Sequence, residues 1–335
     1  MSTNEQAKSA RSRSEPAIGL ALSGGGIRGL AHLGVLQVLE EQGLPIGAMA
    51  GTSMGGLIAG AYAAGVSLSD LRAFAVKTRI LDLASPDRTW HGFFDHRKLR
   101  TLLIDLLGSE SLTFEDLRVP VAVTATDIET GQLVILDAGP LIPALMATAA
   151  LPIFFAPVRH QERWLVDGGI VNNLPVDVVR HLGADRVLGV TIAPSTHFDL
   201  EPRPKETRTR GLSLQGLLQF GNRARDWRLP FLIAETSLGW TQELINQTRM
   251  ELCPPDLLLR IRLPNIGILS TDGSEDAIKS GYEAAMAQQE ALRALSEPLP
   301  PQWQRRCQSL WRRLRLSWRI LREGRQPLYP PSEWY

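Results

Sequence analysis

The chain alternates short, wholly apolar runs with longer runs whose apolar residues recur at helical spacing. Residues 17–23 (AIGLALS) are apolar, short and bounded by turn residues, and so read as a buried first strand. A glycine loop follows, and then an amphipathic run from Leu30 to Gln42. Val35, Leu36, Val38 and Leu39 supply the apolar face of that helix and Gly43 ends it. Residues 46–50 form a second apolar run, and 57–64 read as a helix directly after it. Ser67 is placed to cap a further helix through about Thr78, with Asp70 at its third position. Residues 80–95 are irregular and aromatic. Residues 95–107 read as a helix stopped by Gly108. Residues 119–127 and 133–136 read as strands joined by a turn at Glu129-Thr130-Gly131.

The uncharged stretch 140–158 approaches a membrane span in length. Pro140, Pro143, Pro152 and Pro157 interrupt it, and its place between strands favours a buried helix followed by a loop. Residues 163–166 are a short strand. Pro175 suits the first position of a helix running to Leu182, and 186–192 is another buried strand. Residues 195–210 are polar and read as a surface loop. Beyond them the pattern predicts helices over 212–234, broken at Pro230, and 238–249. A final strand over 257–263 and one long helix over 274–295 follow. Alternation of strand and helix argues an α/β fold with a mostly parallel sheet. There is no internal repeat and no composition break before residue 298. This gives a polar tail over 1–16, one domain over 17–298, and a separate tail over 299–335.

Composition adds little for the body, with 44% hydrophobic and 21% charged residues. The two cysteines, Cys253 and Cys307, suit neither a disulfide framework nor a metal site. Residues 1–16 lack the apolar segment of a secretory signal. Together these point to a reducing, cytoplasmic setting. Charge is more informative. Residues 301–335 hold eight Arg and two Glu (+6), leaving 28 Lys+Arg and 33 Asp+Glu (−5) elsewhere. On a helical wheel of residues 303–322, Trp303, Cys307, Leu310, Trp311, Leu314, Trp318 and Leu321 fall within about 100°. Seven arginines lie outside that arc; Leu316 and Ile320 depart from the pattern. Such a helix suits an anionic membrane surface, on the inner face for a cytoplasmic protein. Docking of its Trp face on the body is the alternative. Its ordered tryptophans favour a lipid interface over nucleic acid.

Candidate chemistry gathers at three places. Gly51-Thr52-Ser53-Met54-Gly55 reads G-x-S-x-G between an apolar run and a helix, the strand–turn–helix context of a serine nucleophile elbow. Gly24-Gly25-Gly26-Ile27-Arg28-Gly29 joins a strand to a helix N-terminus and would present N–H groups to an anion. Its glycines also fit G-x-G-x-x-G, but the second strand ends in Met49-Ala50-Gly51 with no carboxylate for a ribose, which argues against a dinucleotide. No Gly-Lys-Ser/Thr follows, so it is not a Walker loop. Asp167, before Gly168-Gly169, ends a strand on the same edge as Ser53. It reads either as a base or as an aspartate capping a turn. Of six histidines, His32 lies one turn past the glycine loop. His181 and His197 follow Asp167 in triad order without flanks that fix a catalytic tautomer, and His91, His96 and His160 complete the set.

In this order and spacing the three motifs resemble the patatin-like phospholipase family over roughly residues 17–200, with weaker similarity to about 295. The resemblance implies a three-layer α/β/α fold and a lipid acyl hydrolase with a Ser–Asp dyad and no histidine. Ser53 would be the nucleophile and Asp167 the proton acceptor. Gly24, Gly25 and Gly26 would form the oxyanion hole, with Arg28 and Gly29 supporting the loop. Gly51 and Gly55 would shape the elbow, and Gly168 and Gly169 the turn after the base. No motif departs from the family's pattern. No cofactor or metal is implied, the substrate would be a phospholipid or lysophospholipid ester, and no nucleic acid is expected as a partner. A hydrolase of soluble esters or thioesters and a noncatalytic lipid- or protein-binding member are the alternatives.

Overall fold

The structure is a computed structural model that describes residues 17–77, 85–86, 94–193, 228–263, 266 and 273–297. The N-terminal tail, most of the aromatic stretch 80–95, the polar loop 195–210, the helix start before residue 228 and the basic tail lie outside the described residues. In chain order the elements begin with β1 (Ile18–Leu22), a 3₁₀ turn (Gly26–Leu30), α1 (Ala31–Glu41), β2 (Ile46–Thr52), α2 (Met54–Ala63) and α3 (Leu68–Lys77). A two-strand ribbon, β3 (Ser85–Pro86) with β4 (Phe94–Asp95), precedes α4 (Arg97–Leu107), β5 (Val121–Asp127), β6 (Leu133–Leu136) and α5 (Leu141–Thr148). Then come β7 (Val158–His160), β8 (Arg163–Asp167), α6 (Val176–His181), β9 (Arg186–Ile192), α7 (Arg228–Leu252), β10 (Leu257–Ile261), α8 (Ser274–Met286) and α9 (Gln289–Leu295).

The main sheet runs β10-β9-β1-β2-β5-β8-β7, with β6 also paired to β5. From β10 to β5 all neighbours are parallel; β6 and β8 run antiparallel to β5, and β7 to β8. The strict alternation of side chains along a strand gives the sheet two faces. Leu20, Leu22, Met49, Val121, Val123, Leu188 and Val190 point into the large core under α1, α2, α5 and α8. Ala21, Ala50 and Ala122 point the other way, where Val176, Val178 and Val179 of α6 settle onto them. Small residues on that face let a short helix approach closely. The result is the expected α/β/α arrangement, with unequal layers.

Local expectations held at several element ends. Ser67 Oγ accepts from the Asp70 N–H at 3.1 Å, and Gly108 stops α4 in the left-handed conformation (φ 71°). Three boundaries differ. The expected helices over 212–234, broken at Pro230, and 238–249 differ from what is seen: over the described residues α7 runs without interruption from Arg228 through Pro230 to Leu252. The expected helix 274–295 is two, because Gln288 leaves helical geometry (φ −120°) between α8 and α9. Pro175 precedes α6 as its cap (ψ 58°) rather than opening it, and β7 was not anticipated because a three-residue strand carries too little periodicity.

Helices α1 and α8 cross with backbones in contact. A Cβ on Gly34 would lie 2.0 Å from Ile278 O, and one on Gly281 would lie 1.9 Å from Ala31 O. Gly34→Ala or Gly281→Ala should therefore push the helices apart and cost about 1–3 kcal/mol in urea unfolding. The double variant should cost less than the sum, since one separation relieves both clashes. Additive or negligible losses would contradict this crossing.

Candidate active site

One edge of β5 carries two partners end to end. β2 pairs Met49–Thr52 with Val121–Thr124, and β8 pairs Asp167 with Ala125, Val166 with Thr126 and Leu165 with Asp127. β6 occupies the opposite edge over Val123–Thr126. So β2 ends opposite Thr124, and Asp167 takes the next register row on that same edge. Ser53, one residue beyond Thr52, is delivered beside Asp167 although 114 positions separate them in the chain. Threonines tie the junction together. Thr52 Oγ1 lies 2.6 Å from Thr124 Oγ1 and donates to Asn172 O at 2.9 Å; Thr126 Oγ1 donates to Asp167 O at 3.0 Å.

Ser53 has φ 53° and ψ −125°, a strained conformation for a residue with a side chain. The turn persists because its neighbours cannot move. A Cβ on Gly51 would lie 2.4 Å from the Gly55 backbone, and one on Gly55 would lie 2.4 Å from Leu22 O. The Ser53 N–H donates to Thr148 Oγ1 at 2.9 Å. Its hydroxyl makes no cap to α2; it lies beside the Asp167 carboxyl, near enough to favour that group's ionised form.

Asp167 is 2% exposed. Burial pushes its carboxyl up to about 6, and the neighbouring Ser53 hydroxyl and the Gly169 N–H only partly offset that. Asp167 Oδ1 accepts the Gly169 N–H at 2.7 Å and so caps the 3₁₀ turn Gly168–Ile170. Both readings of this residue, base and turn cap, thus have a geometric counterpart. Gly168 is required where it stands, since a Cβ there would meet Thr124 Oγ1 at 2.3 Å.

The glycine loop crosses in front of this pair, and its three amides differ. The Gly24 N–H points inward, donating to Asn173 Oδ1 at 3.1 Å and Asn173 O at 3.3 Å. That N–H is spent on the loop's own fixation, while Gly24 still lines the cavity. Among the described residues the Gly25 and Gly26 N–H groups meet no protein acceptor. Both glycines line the cavity that holds Ser53 and Asp167. Arg28 is buried and turned back on the loop, its Nε 3.5 Å from Gly25 O. A Cβ on Gly29 would meet Met54 Cβ at 2.8 Å, which closes the loop onto α2.

His32 lies beneath the loop and outside the cavity. Its Nε2 donates to Ser23 O at 2.7 Å, and burial lowers its pKa to about 4, so it is a neutral prop. His96 stacks on Phe155 and bonds Ala156 O at 2.7 Å, steadying the loop 149–157. His160 ends β7 and His181 ends α6; His91 and His197 lie outside the described residues. Among the described residues no histidine lines the cavity, and no group of three metal-ligating side chains is gathered.

Sequence reasoning missed several cavity residues. Asn173 pins Gly24; its one signal was an Asn-Asn pair just past Asp-Gly-Gly. Leu238 and Gln242 of α7 form a further wall. A Cβ on Gly169 would lie 2.6 Å from Gln242 Nε2 and 3.1 Å from Asp167 Oδ1, so that amide faces the Asp167 end of the cavity. Nothing in the local sequence marks Gln242. The cavity measures about 700 Å³ including its open mouth.

A strained serine between β2 and α2 has the strand–turn–helix setting of a nucleophile elbow, and the buried aspartate that ends β8 lies on the same edge of β5. The family model described as Patatin-like phospholipase matches residues 20–180. An uncharacterized NTE family protein of Mycobacterium tuberculosis is 36% identical over 185 residues, covering 54% of this chain and 51% of that protein. Human patatin-like phospholipase domain-containing protein 6 is 31% identical over 222 residues, covering 63% of this chain and 15% of that protein. The crystal structure of VipD from Legionella pneumophila shares the fold, with a TM-score of 0.54 at 18% identity over 82% of this chain and 67% of that one. The chain spans about half the length of the mycobacterial relative.

Two buried groups give opposite pH dependences. Asp167 has its folded pKa raised, from 3.8 to about 6, so its ionised form costs stability above pH 6, up to about 3 kcal/mol, and the cost vanishes below 3.8. His32 has its pKa lowered, from 6.5 to about 4, so stability is lost as pH falls through that window. Asp167→Asn should thus melt above the parent at pH 8 and lose that advantage below pH 4. Equal melting temperatures at pH 8 would contradict the buried charge.

Proposed function

We propose that this chain is a serine acyl hydrolase acting on carboxylic esters of lipids, phospholipids or lysophospholipids, through Ser53 and Asp167. The observation that carries the reading is one cavity lined by the strained Ser53, the buried Asp167 carboxyl and two glycine amides that meet no protein acceptor among the described residues. Ser53 Oγ attacks the ester carbonyl carbon as its proton passes to Asp167. The carbonyl oxygen takes up the negative charge and is held by the Gly25 and Gly26 N–H groups. Collapse breaks the bond to the leaving oxygen, which takes the proton from Asp167 and departs as an alcohol. Water then attacks the acyl-enzyme, losing a proton to Asp167. The second tetrahedral species collapses to the free acid, and Ser53 regains its proton.

A pKa near 6 makes Asp167 a better base than an ordinary aspartate while leaving it ionised at neutral pH. The family and the named relatives support a lipid ester as substrate. Action at a lipid surface is supported by α7. Its inner face brings Leu238 and Gln242 to the cavity, and its outer face exposes Ile233, Trp240 and Leu244. The basic helix inferred over 303–322 extends the same reading to anionic membranes.

Ser53→Ala and Asp167→Asn should each lower hydrolysis of p-nitrophenyl butyrate on the order of a thousandfold or more. Ser53→Ala should also lose labelling by a fluorophosphonate. Since protonated Asp167 cannot accept the serine proton, kcat/KM should fall about tenfold per pH unit below about pH 6 and level off above it. Retained labelling of Ser53→Ala, or a profile flat through pH 6, would refute the assignment.

A further inference from the structure

A second cavity lies behind the one that holds Ser53. It measures about 690 Å³ including its open mouth, and every residue lining it is apolar. Ile58 and Ala61 of α2 form its floor. Leu71 and Ala75 of α3 face Leu103 and Leu106 of α4 across its far end. Met54, Leu57 and Leu99 line both cavities. The dividing wall therefore starts at the residue after Ser53 and continues one turn along α2.

Two physical points identify an occupant. Protein interiors are close-packed, so an apolar pocket that opens to the surface and shares Met54, Leu57 and Leu99 with the site cavity is not ordinary core. Its lining offers no hydrogen bond, so water and polar ligands gain nothing there, whereas a run of methylenes needs no partner. The neighbouring cavity fixes direction. An ester carbonyl on Ser53 has its oxygen at the glycine loop, and Asp167, Asn173 and Gln242 make the polar side. Of the apolar walls that remain, the one formed by Met54, Leu57 and Leu99 is shared with the second cavity.

We propose that this apolar cavity receives the hydrocarbon tail of the acyl group, and that Ala61, Leu71 and Leu106 set the chain length accepted. The proposal rests on the acyl-hydrolase reading above. The leaving group then lies on the Gln242 side, so the two cavities sort the two halves of the ester.

The test compares p-nitrophenyl butyrate with the laurate and palmitate esters. Ala61→Phe should lower the laurate-to-butyrate ratio of kcat/KM at least about tenfold, and Leu71→Ala should move the optimum toward longer chains. Should Ala61→Phe fail to fold, Leu106→Trp, at the half-buried end of α4, carries the same expectation. An unchanged ratio in a folded variant, with hydrolysis still dependent on Ser53, would overturn the cavity assignment and leave the hydrolase reading standing. A second readout does not require turnover. A fluorescent long-chain fatty acid should bind the Ser53→Ala protein, and adding Ala61→Phe should weaken it at least about tenfold. Equal affinity in the two proteins would reject the proposal even if no ester were cleaved.

Discussion

The site depends on how one strand edge is shared. β5 gives its lower rows to β2 and its upper rows to β8, which approach from opposite directions and stop against each other. Neither strand can slip by a residue without reversing which side chains face the core. Leu20 and Met49 on one face and Ala21 and Ala50 on the other oppose any such slip. The separation of Ser53 from Asp167 is thus set by the same burial that holds the sheet together. The threonines at the junction satisfy the polar groups that two abutting strand ends would otherwise leave unpaired.

Several costs are concentrated here. Ser53 holds a backbone conformation worth about 1–3 kcal/mol of strain. The Asp167 carboxyl sits in a nearly dry position, and among the described residues two amides of the glycine loop meet no protein acceptor. None of these would survive in a loosely packed region. The large core on one side of the sheet and the α1–α8 contact behind the glycine loop hold the arrangement in place. His32 contributes without lining the cavity, bonding Ser23 just ahead of the glycines, and Asn173 fixes the Gly24 amide.

Much of this was legible in the sequence, for physical reasons. Buried parallel strands are continuous apolar runs, so β1, β2, β5, β9 and β10 stood out. Glycines that permit close backbone approach marked the elbow and the turn after Asp167. What stayed hidden depends on long-range contact. Gln242 is one polar residue among many on a long helix, and only the fold brings α7 over Gly169. The inward turn of the Gly24 amide needed Asn173 to be in place. The split between α8 and α9 turns on Gln288, a good helix former, so propensity gave no warning. Pro230 looked like a break because proline is a local breaker, yet α7 continues from it to Leu252.

The closeness of α1 to α8 bears on what the smallest working unit is. Residues 20–180 carry the family's match, yet the helix braced against Gly34 is built from residues 274–286. Two of the sheet's strands, β9 and β10, also come from outside the matched stretch. Cutting the chain after residue 180 would bare the flank of β1 and the back of α1 together. The segment that defines the family is therefore not a portable cassette; grafted alone into another protein, it would arrive without the scaffolding that keeps its glycine loop in shape.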